Sequence, residues 1–140
     1  MRIKILLLLF ITALLWGASP IIEKIGLTST DPILGIAVRS FTVSSLLIIF
    51  LLLSGKIHSL FSLSFKSTAL FACSGIMAGL LGMWCYFSAL KLGATSKVVP
   101  IAATYPMVTA VLAITLLKEE FSLSKVIGTL LIVIGILLVK

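Results

Sequence analysis

The sequence predicts an all-α integral membrane bundle of five transmembrane helices, in one domain covering residues 1–140. Three observations predict it. The chain is 61% apolar with only 11 basic and 4 acidic residues, and its mean hydropathy is +1.33. Its apolar residues fall into blocks of about the ~20 residues that a helix needs to cross a bilayer core ~30 Å thick. Lys and Arg stand one or two at a time at the block ends instead of gathering into a stripe, so the net charge of +7 marks helix ends and not a nucleic-acid surface.

The first helix is expected over about residues 3–22. Its opening, with Arg2, Lys4 and a long apolar run before Gly17-Ala18-Ser19, has the look of a signal peptide, but Pro20 follows directly and the apolar run continues to Ile22. A spanning helix closed by Glu23-Lys24 is the better reading. Thr28 to Pro32 then form a short turn, with Asp31 as N-cap and Pro32 in the first helical position of the second helix. That helix, about 32–53, is apolar except for Arg39. An arginine inside a span is a functional hypothesis by default, and snorkelling to the headgroups is the competing reading. Ser54 to Ser59 break the pattern, and residues 60–66 are expected along the interface.

The third helix, about 68–90, carries Gly75, Gly79 and Gly82 on one face, where a neighbouring backbone could approach closely. Trp84, Tyr86 and Ser88 gather near its end, either as an interfacial belt or as part of a binding layer. The fourth helix, about 98–117, is the unusual one. Pro100 and Pro106 bracket six residues, and Pro106 has no N–H to offer the Ala102 carbonyl. Interrupted backbone is tolerated in a membrane only where protein buries it or a wet cavity receives it, which makes this stretch a candidate pathway wall; a plain proline kink is the alternative. The fifth helix, about 125–139, carries Gly128 and Gly135 seven apart on one face.

Counting inward from the end opposite the N-terminus, Trp16, Arg39, Trp84, Tyr86 and Tyr105 all fall roughly 7–12 Å inside the same face, at 1.5 Å per residue. Together with Thr104 they are the candidate solute-binding layer: a guanidinium for an anionic group, hydroxyls to hydrogen-bond and aromatic faces to stack. The acids Glu23, Asp31, Glu119 and Glu120 are all expected at helix ends, so no mid-membrane carboxylate is available for proton relay. Cys73 and Cys85 lie about 18 Å apart along one helix and cannot pair; they are expected to pack as small hydrophobes. With one histidine, His58, and no nucleophile–base pair, the sequence offers no catalytic residue, no metal ligand set and no cofactor site.

The order Trp16-Gly17-Ala18-Ser19, Pro32 with Arg39-Ser40, Ala89-Leu90-Lys91-Leu92-Gly93-Ala94, Tyr105-Pro106, Glu119 nine residues before Gly128, and Gly135-Ile136-Leu137 resembles the EamA-type domain of the drug/metabolite transporter superfamily. The resemblance covers nearly the whole chain. It implies carriage of a small metabolite, amino acid or drug, often outward, without enzyme activity. Most members hold two such units as a ten-helix inverted repeat, so one unit implies a homodimer, antiparallel, or a heterodimer with a similar chain. Glu119 maps onto the family's acidic residue before the last helix, with a structural role at the helix end. The sequence departs from the family at Glu120 and at Glu23. The related small multidrug resistance proteins place a carboxylate in mid-helix, where this chain has Leu8 to Leu15, so their exchange mechanism does not carry over.

Basic residues divide six on the N-terminal side against four, plus Arg39, on the other, which favours a cytoplasmic N-terminus in an inner or plasma membrane by a small margin. So slight a bias suits a chain that inserts both ways. The competing functional reading is a non-transporting membrane subunit or lipid-handling partner of another transporter chain.

Overall fold

The computed structural model describes residues 2–118, 120 and 122–139, and Glu119 lies outside them. Among the described residues all regular structure is helical. The order is α1 (Arg2–Gly26), α2 (Pro32–Leu53), α3 (Ile57–Phe61), α4 (Phe65–Ser74), a π-helical stretch (Gly75–Gly82), α5 (Met83–Leu92), α6 (Thr95–Ala102), α7 (Tyr105–Leu116) and α8 (Leu123–Val139). Four stretches are long and apolar enough to cross a membrane: Ile3–Gly26, Pro32–Leu53, Phe65–Leu92 and Thr95–Leu116. The protein is therefore read as a multi-pass membrane protein. At 17 residues α8 is about 26 Å long, somewhat short of a bilayer core.

The chain divides into two compact units, Met1–Lys91 and Leu92–Lys140, which are described in turn. In the first, α1 runs one turn beyond the expected end. Pro20 lies buried inside it, and the helix continues through Glu23 and Lys24 to Gly26. Both ends of α2 fall where the sequence places them, for local reasons. At its start the Asp31 side chain accepts from the Ile33 N–H at 2.9 Å, with Pro32 in the first turn. At its end Gly55 adopts φ +67°, its N–H donates to Leu52 and the Lys56 N–H donates to Leu51. This paired return of two carbonyls by a left-handed glycine is a Schellman stop.

The third span is one path through three elements. Ser64 caps α4 by accepting from the Ser67 N–H. The wider turn then runs over Gly75–Gly82, where a Cβ on Gly82 would stand 3.0 Å from the carbonyl oxygen of Met77, so the bare glycine relieves the backbone there. In the second unit the fourth span is interrupted, as the two prolines require. α6 stops at Ala102, Ala103 and Thr104 turn, and α7 begins at Tyr105 with Pro106 in its first turn, where a missing N–H costs nothing. Pro100 lies inside α6. α7 ends at Leu116, with Leu117 as C-cap and Lys118 in the left-handed region at φ 53°.

The packing of the first unit is lopsided. Apart from Pro20, its buried apolar residues are Leu27, Ile36, Phe87 and Leu90, all at the end of the spans that carries Lys24, Pro32 and Lys91. Gly35 allows the approach of α2 to α5: a Cβ there would stand 3.3 Å from Phe87 Cε2 and 3.7 Å from Leu27 Cδ2. Toward the other end, Ile3 to Trp16 present exposed side chains almost throughout.

Candidate functional site

The first unit brings ionisable groups of three spans into one neighbourhood. Tyr86, on α5, is half-buried and lies within the electrostatic reach of both Glu23 on α1 and Arg39 on α2. The sequence determines this through spacing. Arg39 follows the buried Ile36 by three positions, and Tyr86 precedes the buried Phe87 by one, so both sit within about a turn of the packed end. Glu23 is anchored on its own helix, accepting the Ser19 hydroxyl at 2.9 Å. Tyr86 also meets Phe87 in a tilted ring pair, with centroids 6.1 Å apart. A cation and an anion thus both lie within electrostatic reach of one phenol. Of these groups, a guanidinium is suited to an anionic partner and a carboxylate to a cationic or donor one.

Two further expected members of the layer, Trp16 and Trp84, are 66% and 51% exposed in the isolated chain, which leaves their rings to lipid, partner or solute. In the second unit Thr104 is half-buried and Tyr105 exposed. Thr104 has a structural task there: its backbone N–H and its hydroxyl both donate to the Ile101 carbonyl, at 3.2 and 2.9 Å, and so help hold the break. Its hydroxyl oxygen keeps its acceptor capacity.

The glycine faces are not used within the described chain. Gly75, Gly79, Gly128 and Gly135 have nothing within 4 Å of an added Cβ, in contrast to Gly35, which the sequence did not single out. Cys73 and Cys85 are free thiols, both exposed instead of packed. Among the described residues no three His, Cys, Asp or Glu side chains are grouped to hold a metal ion.

Glu23 and Lys24 carry more of the structure than their sequence position suggests. Read as a helix end, they in fact lie inside the last turn of α1 and point to different partners. Lys24 Nζ crosses to the third span, donating to the carbonyls of Leu90 at 2.6 Å and Lys91 at 3.2 Å. Lys91 Nζ donates in return to the carbonyl of Thr30 in the α1–α2 turn, at 2.8 Å. The only sequence signal for this was the pairing of isolated lysines at two helix ends on one side of the membrane.

Among known proteins, an uncharacterized protein of Methanocaldococcus jannaschii is 40% identical over 60 residues, which are 43% of this chain and 44% of that protein. The match thus spans less than half the length of that relative. No solved structure matches the chain. The model of the EamA-like transporter family matches residues 3–140. That match takes in all four candidate spans, the broken fourth helix and α8 alike, and the chain belongs to the EamA-like transporter family, membrane transporters of the drug/metabolite transporter superfamily.

Proposed function

We propose that the protein carries a small polar or amphipathic solute, a metabolite, amino acid or drug-like compound, across the cell membrane by alternating access, with Arg39 and Tyr86 at the solute site. The observation that supports this reading is that Tyr86 lies within electrostatic reach of both Glu23 and Arg39, on three different spans. Charges inside a membrane are costly to keep, and a span that retains an arginine within reach of a phenol is equipped to replace the hydration of a polar solute. In this reading Trp16 and Trp84 also serve the solute within the first unit, and Thr104 and Tyr105 are the solute-binding residues of the second. In this reading the solute enters from the end that carries the N-terminus, which the packing of Leu27, Ile36, Phe87 and Leu90 at the lysine-bearing end supports.

The α8 helix makes the fifth crossing in this account, and a second copy in the opposite orientation supplies the other half of the pathway. The open glycines Gly75 and Gly79, and Gly128 and Gly135, suit close contact with that copy, because small residues let membrane helices approach. A similar chain of opposite orientation would serve equally as partner. Glu119 acts structurally, at the approach to α8.

The test is flux through the purified chain reconstituted alone in proteoliposomes, with radiolabelled amino acids, nucleosides and the dye ethidium as probes. The reading expects flux of at least one probe and its loss in Arg39→Ala. Undiminished flux in that variant removes Arg39 from the site. No flux of any probe through verified, inserted protein contradicts the single-chain transporter.

A further inference from the structure

Near Arg39 and Tyr86 the first unit is closed by two sets of contacts. The first is apolar: Leu27, Ile36, Phe87 and Leu90 are each at most 3% exposed. Ile36 lies within one helical turn of Arg39, and Phe87 follows Tyr86 directly, both on the side of the span end. The second set is made of lysines. Lys24 reaches from α1 to the carbonyls of Leu90 and Lys91, and Lys91 reaches back to the carbonyl of Thr30, so α1, its following turn and the last turn of α5 are tied in a closed circuit of three hydrogen bonds.

These bonds differ from ordinary packing in a way that suits a movable closure. The acceptors of Lys24 belong to the final turn of a helix, where carbonyls lack intrahelical donors and the dipole is negative, so an ammonium is held well there. Water can hold it nearly as well, provided that water can reach it. A cavity of ≈ 150 Å³ lined by Lys24, Leu27, Thr28 and Lys91 opens beside the bonds and admits several water molecules, each taking about 30 Å³. The lysines can therefore exchange carbonyl for water as the end opens, without passing through an unsolvated state.

We infer that Lys24 and Lys91 are the latch of a gate: their bonds to the Leu90, Lys91 and Thr30 carbonyls hold shut the end of the solute pathway above Arg39 and Tyr86, and that end opens in the transport cycle when they release. This rests on the proposal that the Arg39–Tyr86 layer is the solute site. The lysines are positioning residues that act on access and do not touch the solute. A charge-assisted hydrogen bond contributes enough that losing one shifts an open-to-closed ratio by about tenfold or more.

The test measures the distance across this end by double electron–electron resonance. Spin labels are placed at Ser29→Cys in the α1–α2 turn and Ala89→Cys on α5, both exposed positions, with Cys73→Ser and Cys85→Ser as background. The full chain is held in nanodiscs of phosphatidylcholine and phosphatidylglycerol. The parent is expected to show one dominant short distance. In the Lys24→Met/Lys91→Met variant a longer distance should grow about tenfold, while Lys24→Arg/Lys91→Arg, which keeps donors at both positions, should retain the parent distribution. An unchanged distribution in the Met variant overturns the latch and leaves Arg39-dependent flux standing. Equal spreading in the Arg and Met variants marks a folding defect and overturns the specific role. Spreading in the Met variant alone, in a protein with no Arg39-dependent flux, removes the solute site, and the gate with it.

Discussion

Gly35 is the position at which the packing of the first unit is most sharply testable. An added Cβ would stand 3.3 Å from Phe87 Cε2, 3.4 Å from Phe87 Cδ2 and 3.7 Å from Leu27 Cδ2. Phe87 and Leu27 are themselves buried, so neither has an empty direction in which to retreat. For Gly35→Ala two effects oppose each other. The ring must give by a few tenths of an ångström, whereas alanine in a helix interior gains about 1 kcal/mol over glycine, so the net change is expected within about 1 kcal/mol of zero. For Gly35→Leu the additional carbons have no room, and overpacking at about 1–3 kcal/mol dominates, a shift of roughly 5- to 150-fold in the folded-to-unfolded ratio. Lipid does not soften this, because the cost is steric and not a transfer from water. The assay is equilibrium unfolding in mixed micelles of dodecyl sulfate and a mild detergent, followed by far-ultraviolet circular dichroism. Gly79→Leu is the control: with nothing within 4 Å it carries no steric cost, and helix propensity alone should stabilise it by up to about 1 kcal/mol. Equal stability of Gly35→Leu and Gly79→Leu would refute the account of α2 packing on α5.

Three further outcomes are expected. Gly55→Ala places a side chain at φ +67° in the stop of α2 and should destabilise by about 1–2 kcal/mol in the same unfolding assay. Asp31→Ala removes the acceptor of the Ile33 N–H and should cost about 0.5–2 kcal/mol, most of it restored by Asp31→Asn. Gly79→Leu and Gly135→Leu, which meet no steric conflict within the chain, should weaken self-association when donor- and acceptor-labelled copies are mixed and read by energy transfer; unchanged transfer in both would remove the glycine faces from the dimer.

What could be read from the sequence was whatever is decided within a few residues. Asp31 and Pro32 set the start of α2 and Gly55 its end, and the stretch between Pro100 and Pro106 holds the break, because capping, left-handed glycine and the missing proline N–H act locally. The end of α1 was not legible. Glu23-Lys24 looks like a terminus, but Glu23 is answered by Ser19 on the same helix and Lys24 by carbonyls of the third span, so the helix keeps both charges inside its last turns. The π-helical stretch was also hidden, since Gly75, Gly79 and Gly82 give an equally good α-helical face.

The same distinction holds for the site. Depth along a helix follows from counting residues, and it placed Arg39 and Tyr86 in one layer. Rotation about the helix axis does not follow from counting. It is set by contacts such as Gly35 against Phe87, and it leaves Tyr86 within electrostatic reach of Glu23 and Arg39. Glycine periodicity pointed to the faces that the chain leaves open, whereas the glycine that packs, Gly35, belongs to no repeat.

If Arg39 and Tyr86 act on one solute, a double-mutant cycle on flux shows it most directly. Conservative variants keep flux measurable: Arg39→Lys, Tyr86→Phe and the pair, reconstituted as for the wild-type chain and compared by initial rate at subsaturating probe. If both side chains meet the same solute, their losses are coupled, and the double variant should depart from the sum of the singles by about 0.5–3 kcal/mol in transition free energy. Strict additivity would mean that the two residues act independently, and would contradict a shared site.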